Sequence, residues 1–451
     1  MKLAVVILAA GQGTRMKSDL PKVLHPLCGH PLVIHAVETA RKLADAPPVL
    51  VVGRGARSVR QTVGNAATFV EQAERLGTGH AVLQARDVLR GQSDLVLVSC
   101  ADMPLLTAET LGRLVERQRH NPGPFTVLTV QADDPRGFGR IIRDASGAVL
   151  KIVEEAVATP EQLAVRDLNT GAYCFAADWL WAHVDQIPLS LPKREYYLTD
   201  LVEMAGTAGL RVEAEVAADP TEALGINTRV HLAEAERVLR RRINERWMLA
   251  GVTLVDPATT YIEMDVTIGR DTVVWPNTCL RGQTVVGAHC HLGPNSTIVD
   301  SQIGDRCRVL ASVLEQAVME DEADIGPYGH LRQGARLCRG AHMGNFGEMK
   351  NSVLGQGAKM GHFGYLGDAQ VGAGANIGAG TITCNYDGSH KHETVIEQGA
   401  FIGSDTMLVA PVRVGRGAKT GAGAVVTHDV PAGALVYGAP ARVGGPGDDE
   451  R

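Results

Sequence analysis

Two rules of hydrophobic spacing divide the chain. Before about residue 250, short apolar runs alternate with amphipathic stretches. Leu3–Leu8, Val49–Val52 and Leu95–Val98 predict buried strands, and Pro31–Leu43 and Ala108–Arg119 predict helices. Such alternation specifies an α/β unit: a mostly parallel sheet covered by helices on both faces. Ligands of such sheets sit beyond the carboxyl ends of the strands. Gly11–Arg15 follows one such end, and Ala101-Asp102 follows another.

Beyond residue 250 the period is six. Ile268, Val274, Leu280, Val286, Leu292 and Ile298 follow one another at six-residue steps. After a slip of one, Ile303 and Val309 resume. The series continues through Ile325, Leu331, Leu337 and Met343, then Leu354, Met360 and Leu366, then Val371 and Ile377, and ends with Ile396, Ile402, Leu408 and Val414. Glycine directly follows thirteen of these residues. A period of six suits neither a helix nor a long strand. It predicts a coil of short strands with one inward residue per side, each coil burying its apolar residues by stacking on the next. The glycines predict corners of positive φ. The polar segment Thr383–Thr394, which contains Gly388, interrupts the series and predicts a loop expelled from the column.

Between the two patterns, residues 229–249 read as one helix with Asn227 as its cap. Arg237, Arg240, Arg241, Arg242 and Arg246 interleave with Glu234, Glu236 and Glu245, as expected of a solvated, salt-bridged connector. The expected organisation is a first domain over 1–226, a connecting helix over 227–250, a repeat column over 251–443 and a disordered tail over 444–451.

Composition narrows the function. At 451 residues the chain exceeds a single core. A net charge of −6 argues against a general nucleic-acid or polyanion binder, so any nucleotide must be held in a local pocket. The eight cysteines, at 28, 100, 174, 279, 290, 307, 338 and 384, show no Cys-x-x-Cys spacing and read as reduced thiols. His390 and His392 are close but belong to the polar loop. Met1-Lys2 and the apolar run after it lack a credible cleavage site, and no apolar stretch is long enough to span a bilayer. A cytoplasmic protein is expected.

The candidate chemistry begins at residue 8: Leu-Ala-Ala-Gly-Gln-Gly-Thr-Arg-Met-Lys-Ser-Asp-Leu-Pro-Lys. Gly11 and Gly13 offer bare backbone to an anion, and Arg15 and Lys22 add positive charge. Met16 stands where a dinucleotide fingerprint has its third glycine, and no Gly-Lys-Ser/Thr follows. The whole string resembles the signature of sugar-phosphate nucleotidylyltransferases. The hexads resemble those of the hexapeptide-repeat acyltransferases. Together with Gln72–Ala81, Gly137–Ile141, Leu168–Gly171, Glu195–Asp200, Gly225–Arg229 and blocks from Gly344 to Asp387, the chain resembles the bacterial bifunctional glucosamine-1-phosphate N-acetyltransferases and N-acetylglucosamine-1-phosphate uridylyltransferases. The resemblance implies a Rossmann-like nucleotidyltransferase domain followed by a left-handed parallel β-helix, assembled as a homotrimer with active sites between subunits.

The resemblance also implies roles. Asp102 and Asn227 match a magnesium-binding pair, and Arg15 and Lys22 the triphosphate contacts. Gln72, Gly77 and Thr78 match the uracil site, and Gly139, Glu154, Asn169, Tyr197 and Thr199 the N-acetylglucosamine contacts. In the second half His362, within Gly-His-Phe-Gly-Tyr-Leu-Gly-Asp, matches the general base of acetyl transfer. Arg332, Lys350 and Tyr365 match phosphate and sugar contacts. Asn376 and Asn385 match polar contacts near the amine and thioester, and Ala379, Tyr386, Ser404 and Ala422 match the acetyl-CoA groove. Lys391 matches a loop lysine that reaches a neighbouring subunit. Ala439 stands where the family can carry a coenzyme-binding arginine. Two other readings share the architecture. Single-function sugar-1-phosphate pyrophosphorylases lack the His362, Asn376 and Asn385 set. A non-catalytic regulatory subunit would be expected to have lost Arg15, Lys22 or Asp102.

Overall fold

A computed structural model describes residues 1–191 and 194–443; the tail expected to be disordered lies outside the described residues. The chain forms two compact units, divided between Leu239 and Arg240.

The first unit is built on strands β1 (Leu3–Ala9), β2 (Val49–Val52), β3 (Thr68–Glu71), β4 (Leu95–Cys100), β5 (Phe125–Gln131), β6 (Arg140–Arg143), β7 (Val149–Val153), β8 (Asp167–Ala176) and β9 (Glu213–Val216). The main path runs β9-β5-β8-β4-β1-β2-β3, with β6 and β7 as a side hairpin on β8. The main path is mostly parallel, as expected: β3, β2, β1 and β4 are mutually parallel and β9 is parallel to β5, while β8 is the one strand of this path that runs antiparallel, to both β4 and β5.

Alternate side chains of β1 enter opposite cores, as the period of a strand requires. Val6 packs with helices α3 (Thr78–Leu83), α5 (Ala177–His183) and α6 (Asp200–Thr207). Val5 and Ile7 pack with α1 (Leu32–Arg41), α2 (Ala56–Val63) and α4 (Ala108–His120). Parallel pairing sets Leu8 beside both Val51 and Cys100, and the Ala101 amide donates to the Leu8 carbonyl at 3.0 Å. The carboxyl ends of three strands therefore open at one level.

Helix α7 spans Arg229–Leu249. Its cap is Thr228, whose hydroxyl accepts from the His231 amide at 3.2 Å, and not Asn227, whose carboxamide is engaged elsewhere. The helix is also less solvated than its charges suggest. In the first unit Ala235 is fully buried in a small core with Met16, Leu27, Leu32 and Leu105, and Glu236 accepts from the Cys28 amide at 2.8 Å. In the second unit the Asn244 carboxamide donates to the carbonyls of Pro257 and Thr260 at 2.9 and 3.1 Å.

The second unit is a parallel β-helix of three faces, whose sheets hold twelve, ten and nine strands among the described residues, the last of them, Arg442–Val443, pairing antiparallel. Every apolar residue of the six-residue series is buried. The slips have a simple origin: some sides are five residues long, and Leu314, Met319 and Met349, all buried, fill the places the series skips. The role expected of the glycines is corrected. Of the thirteen, Gly293 and Gly326 alone have positive φ. The left-handed corners fall three residues after Ile268, Val274, Val286 and Leu292, at Asp271, Asn277, His289 and Asn295. Glycine follows the inward residue because successive coils touch there. A Cβ on Gly344 would lie 1.9 Å from the Gly361 carbonyl oxygen. The expected loop is shorter than Thr383–Thr394, whose ends are buried in column strands; within it Tyr386–Lys391 is exposed and closes on itself by a Tyr386–Lys391 bridge.

Leu314 is fully buried, whereas its neighbour Val313 is 39% exposed. Leu314→Ala is expected to destabilise the protein by about 2–5 kcal/mol, and Val313→Ala to stay within about 0.5 kcal/mol. Urea denaturation of the two variants checks this.

Candidate active sites

In the first unit, the aligned strand ends open into a cleft of about 700 Å³, lined by the Leu8–Gln12 turn and by Lys22, Gln72, Gly77, Thr78, Asp102 and Tyr197 among others. A second pocket of about 200 Å³ shares Cys100 and Asp102 with it and is lined by Gly139, Glu154, Asn169 and Asn227. Of the predicted residues, Gly11, Lys22, Gln72, Gly77, Thr78 and Tyr197 line the first pocket and Gly139, Glu154, Asn169 and Asn227 the second, Thr199 lines neither, and the two pockets meet at Cys100 and Asp102.

Several contacts pre-set this site. The Lys22 ammonium donates to the Asp102 carboxylate and to the Asn227 carboxamide oxygen, the latter at 3.2 Å. The Ile226 amide donates to the Asp102 carbonyl at 2.8 Å, which ties the two segments together. A cation therefore already sits between these two oxygens. A carboxylate and an amide carbonyl are hard donors of the kind magnesium takes, with water and phosphate completing its shell. Among the described residues no three His, Cys, Asp or Glu side chains converge on a common point, so any bound ion draws on few protein ligands.

Gln72 is buried, and its carboxamide donates to the Gly77 carbonyl at 3.0 Å. Gly77 has φ 98°, and a Cβ there would lie 2.6 Å from the Tyr196 carbonyl oxygen, so only glycine fits. The Thr78 hydroxyl accepts from the Leu198 amide at 3.0 Å, and the Thr199 hydroxyl lies 3.5 Å from Glu154. Burial and the neighbouring Glu195 carboxylate push the Tyr197 phenol up to about 12, so it stays protonated.

Two expected phosphate contacts are placed differently. Gly13 packs on the stem of Lys22 and is absent from the cleft lining. Arg15 is exposed and also outside it, because the turn Thr14–Met16 buries Met16 against Leu27 and Leu32 and so turns Arg15 away. Sequence reasoning passed over Arg75, Cys100 and Glu195, which line the cleft. Arg75 lies inside the Gln72–Ala81 stretch, and a charged residue in a glycine-containing loop was the available signal.

In the second unit each turn of the coil, mostly sixteen to eighteen residues and twenty-five where the expelled loop is inserted, stacks distant residues. His362, Ala379, Ser404 and Ala422 occupy equivalent places along the edge between the first and second faces. The column is tied by Gly380 N to Phe363 O at 2.7 Å, Asp405 N to Ala379 O at 2.6 Å and Gly423 N to Ser404 O at 2.8 Å. His362 is exposed there, and Asn376 stands on the adjoining first face. On the second face Arg332 and Lys350 are neighbours on adjacent rungs and line one shallow pocket of about 350 Å³. Two like charges side by side favour an anion between them. Arg332 is paired with Glu348 at 2.8 Å. The Tyr365 ring folds back over Gly367, the residue paired with Lys350.

The expected coenzyme residues do not form one group. Asn385 and Tyr386 follow the strand Ile382–Cys384 and so lie at the far edge of the second face from Ala379, Ser404 and Ala422. The Asn385 carboxamide donates to Asp368 at 2.6 Å, and the Tyr386 hydroxyl donates to the Gly388 carbonyl at 2.6 Å. Asp368, which also accepts from Asn351 at 2.6 Å, is the organiser of that edge that sequence reasoning passed over. Ala439 precedes the last strand, Arg442–Val443, in which Arg442 is exposed.

Comparison with known proteins identifies the scaffold. Residues 5–211 match the family of the MobA-like NTP transferase domain, and residues 265–299 and 393–428 match the bacterial transferase hexapeptide (six repeats). The chain is 47% identical over 434 residues to the bifunctional protein GlmU of Heliobacterium modesticaldum, covering 96% of this chain and 95% of that one. It is 46% identical over 430 residues to that of Exiguobacterium sibiricum (95% and 96%) and 47% identical over 437 residues to that of Pelobacter propionicus (96% and 95%). The chain belongs to the family of bifunctional GlmU proteins. Its first unit is a nucleotidyltransferase domain with a Rossmann-like sheet, and its second is the left-handed β-helix of hexapeptide repeats. No helix among the described residues is long and apolar enough to cross a membrane.

One group beside the smaller pocket is perturbed. Burial, reinforced by Glu203 and Glu154 and opposed by Lys151, pushes the Asp200 carboxyl up to about 6. An acid with a raised folded pKa favours folding while protonated, so its contribution is fully present below pH about 4 and is lost as pH rises through about 6. Asp200→Asn is expected to raise the melting temperature at pH 7.5 and to leave it unchanged at pH 4, as differential scanning fluorimetry at the two pH values would show.

Proposed function

We propose that the two sites of this chain make UDP-N-acetylglucosamine in two steps. In the β-helix, the acetyl group of acetyl-CoA passes to the amine of glucosamine 1-phosphate. The new carbon–nitrogen bond replaces the thioester carbon–sulfur bond, and coenzyme A leaves as its thiol. In the nucleotidyltransferase domain, a phosphate oxygen of the resulting N-acetylglucosamine 1-phosphate attacks the α-phosphorus of UTP, and pyrophosphate leaves.

The observation that carries this reading is the coexistence of both residue sets in one chain whose whole length follows the bifunctional family. In the first site, the Gly11 backbone and Lys22 hold the triphosphate, with Gly13 shaping the turn and Arg15, exposed outside the cleft, adding positive charge at its approach. Gln72, Gly77 and Thr78 read uracil, and Gly139, Glu154, Asn169, Tyr197 and Thr199 hold the sugar. Asp102 and Asn227 hold magnesium, which when bound supplies the charge that offsets the meeting of two polyanions. In the second site, Arg332, Lys350 and Tyr365 hold the acceptor phosphate and sugar beside Asn376. His362 takes the proton that the amine must lose, a task suited to imidazole. Ala379, Ser404 and Ala422 form one wall of the coenzyme groove.

The separation of that wall from Asn385 and Tyr386 supports a site completed by a neighbouring copy of the chain, to which the Lys391 loop would also reach. A homotrimer through the β-helix is the assembly we assign. Its contact surface is supported by an aromatic ladder along the same edge: Tyr328 and Phe346 stack at 5.1 Å, Phe363 stands on the next rung, and all three are more than half exposed. Both co-substrates are cytoplasmic metabolites, and the reaction belongs there.

His362→Ala is expected to lower acetyl transfer by ~10²–10⁴-fold with uridylyl transfer unchanged, and Lys22→Ala to do the reverse. Separate assays of coenzyme A and pyrophosphate release check both. Survival of acetyl transfer in His362→Ala would overturn the assignment of the base. Mixing His362→Ala with Tyr386→Ala chains should restore part of the acetyl transfer that each lacks. No recovery in mixed oligomers, or a monomer in light scattering, would remove the shared site.

A further inference from the structure

Strand β8 loses register with β5 between Asn169 and Tyr173, where Gly171 has φ 80°. The bulge turns Asn169, Thr170 and Gly171 toward the 200 Å³ pocket. Bulges beside active sites re-aim side chains in this way, but a bulge alone does not fix how a carboxamide is rotated. Its last torsion is broad and twofold, so amide nitrogen and oxygen can exchange places at little cost.

Here the rotation is set by two partners. The Gly171 amide donates to Asn169 Oδ1 at 3.1 Å, and because a backbone N–H can only donate, this contact identifies the oxygen end. The nitrogen end donates to the Tyr173 hydroxyl at 2.8 Å, and that hydroxyl also lies 3.1 Å from Oδ1. Asn169 is 7% and Tyr173 3% exposed. The Tyr173 ring is held in the core against Phe175, with centroids 5.8 Å apart, so the hydroxyl has little freedom to follow a rotating amide. Burial holds that phenol well above its ordinary range, so it serves only as a neutral hydrogen-bonding group.

We propose that Tyr173 is a positioning residue for the sugar pocket: its core-anchored hydroxyl fixes the Asn169 carboxamide in the one orientation that the bulge presents to the bound sugar. The proposal rests on the reading of that pocket as the N-acetylglucosamine 1-phosphate site. Without the hydroxyl, the carboxamide keeps only its Gly171 tether and a buried donor loses its partner.

The experiment is steady-state uridylyl transfer by the full-length protein, with N-acetylglucosamine 1-phosphate and UTP varied separately, in Asn169→Ala, Tyr173→Phe and the double variant. Tyr173→Phe is expected to raise KM for the sugar phosphate about tenfold, the size of one lost hydrogen bond, while KM for UTP and the acetyl transfer rate stay at wild-type values. The double variant should be no worse than Asn169→Ala alone. Asn169→Ala leaving the sugar-phosphate KM unchanged would overturn the pocket reading itself. Asn169→Ala raising it while Tyr173→Phe does not, or strictly additive losses in the double variant, would overturn the positioning role and leave the pocket reading intact. Where the phenylalanine variant is destabilised, the same assays run below its melting temperature, with the unchanged UTP KM and acetyl transfer rate as the measure of intact folding, supply the comparison.

Discussion

Parallel strand pairing is the interaction on which both units depend. It sets neighbouring backbones about 4.8 Å apart and keeps their ends at one level. In the first unit this brings Leu8, Val52 and Cys100 to a common rim, so that the Leu8–Gln12 turn, Asp102 and the Gln72–Thr78 loop, from distant parts of the chain, surround one cleft. In the second unit the same spacing stacks residues one turn of the coil apart in a column, and His362, Ala379, Ser404 and Ala422 become neighbours on one edge although the expelled loop lengthens the step from Ala379 to Ser404. The spacing also has a steric consequence. Where two backbones meet with no gap, as at Gly344 over Gly361, a side chain has nowhere to go.

The two sites handle negative charge differently. The cleft of the first unit offers the Gly11 backbone and a lysine already engaged with Asp102 and Asn227, so its positive charge is neutralised within the unit. The β-helix places Arg332 and Lys350 side by side on the second face and pairs Arg332 with Glu348. The Arg332–Glu348 pair is partly exposed and contributes modestly to stability, so it costs little to leave; Lys22 is buried, and Asp102 and Asn227 keep it from standing as an unpaired buried charge.

Much of this was legible in one dimension. The six-residue series named the interior of the β-helix residue by residue because one inward side chain per side is a property of the coil itself. The strands and helices at 3–9, 49–52, 95–100, 32–41 and 108–120 followed from their apolar runs and periods, with ends differing by a few residues. The glycines were legible as necessary, but not why: most fill contacts between coils, and those contacts are separated by a whole turn of sequence. The antiparallel β8 was not legible, because strand direction is decided by which neighbours a strand finds, and an apolar run reads the same both ways.

The sequence by itself determined the two architectures, the residue types available for each reaction and the kinship to the bifunctional family, because hydrophobic period and local motif are carried along the chain. Only the tertiary structure decided where those residues stand. It drew Asn227 away from the helix cap and onto Lys22, since the cap was satisfied by Thr228. It turned Arg15 outward because Met16 had a core to fill. It divided the expected coenzyme residues between two edges of the prism, because neighbours in a stack are set by the length of a coil and not by distance along the chain.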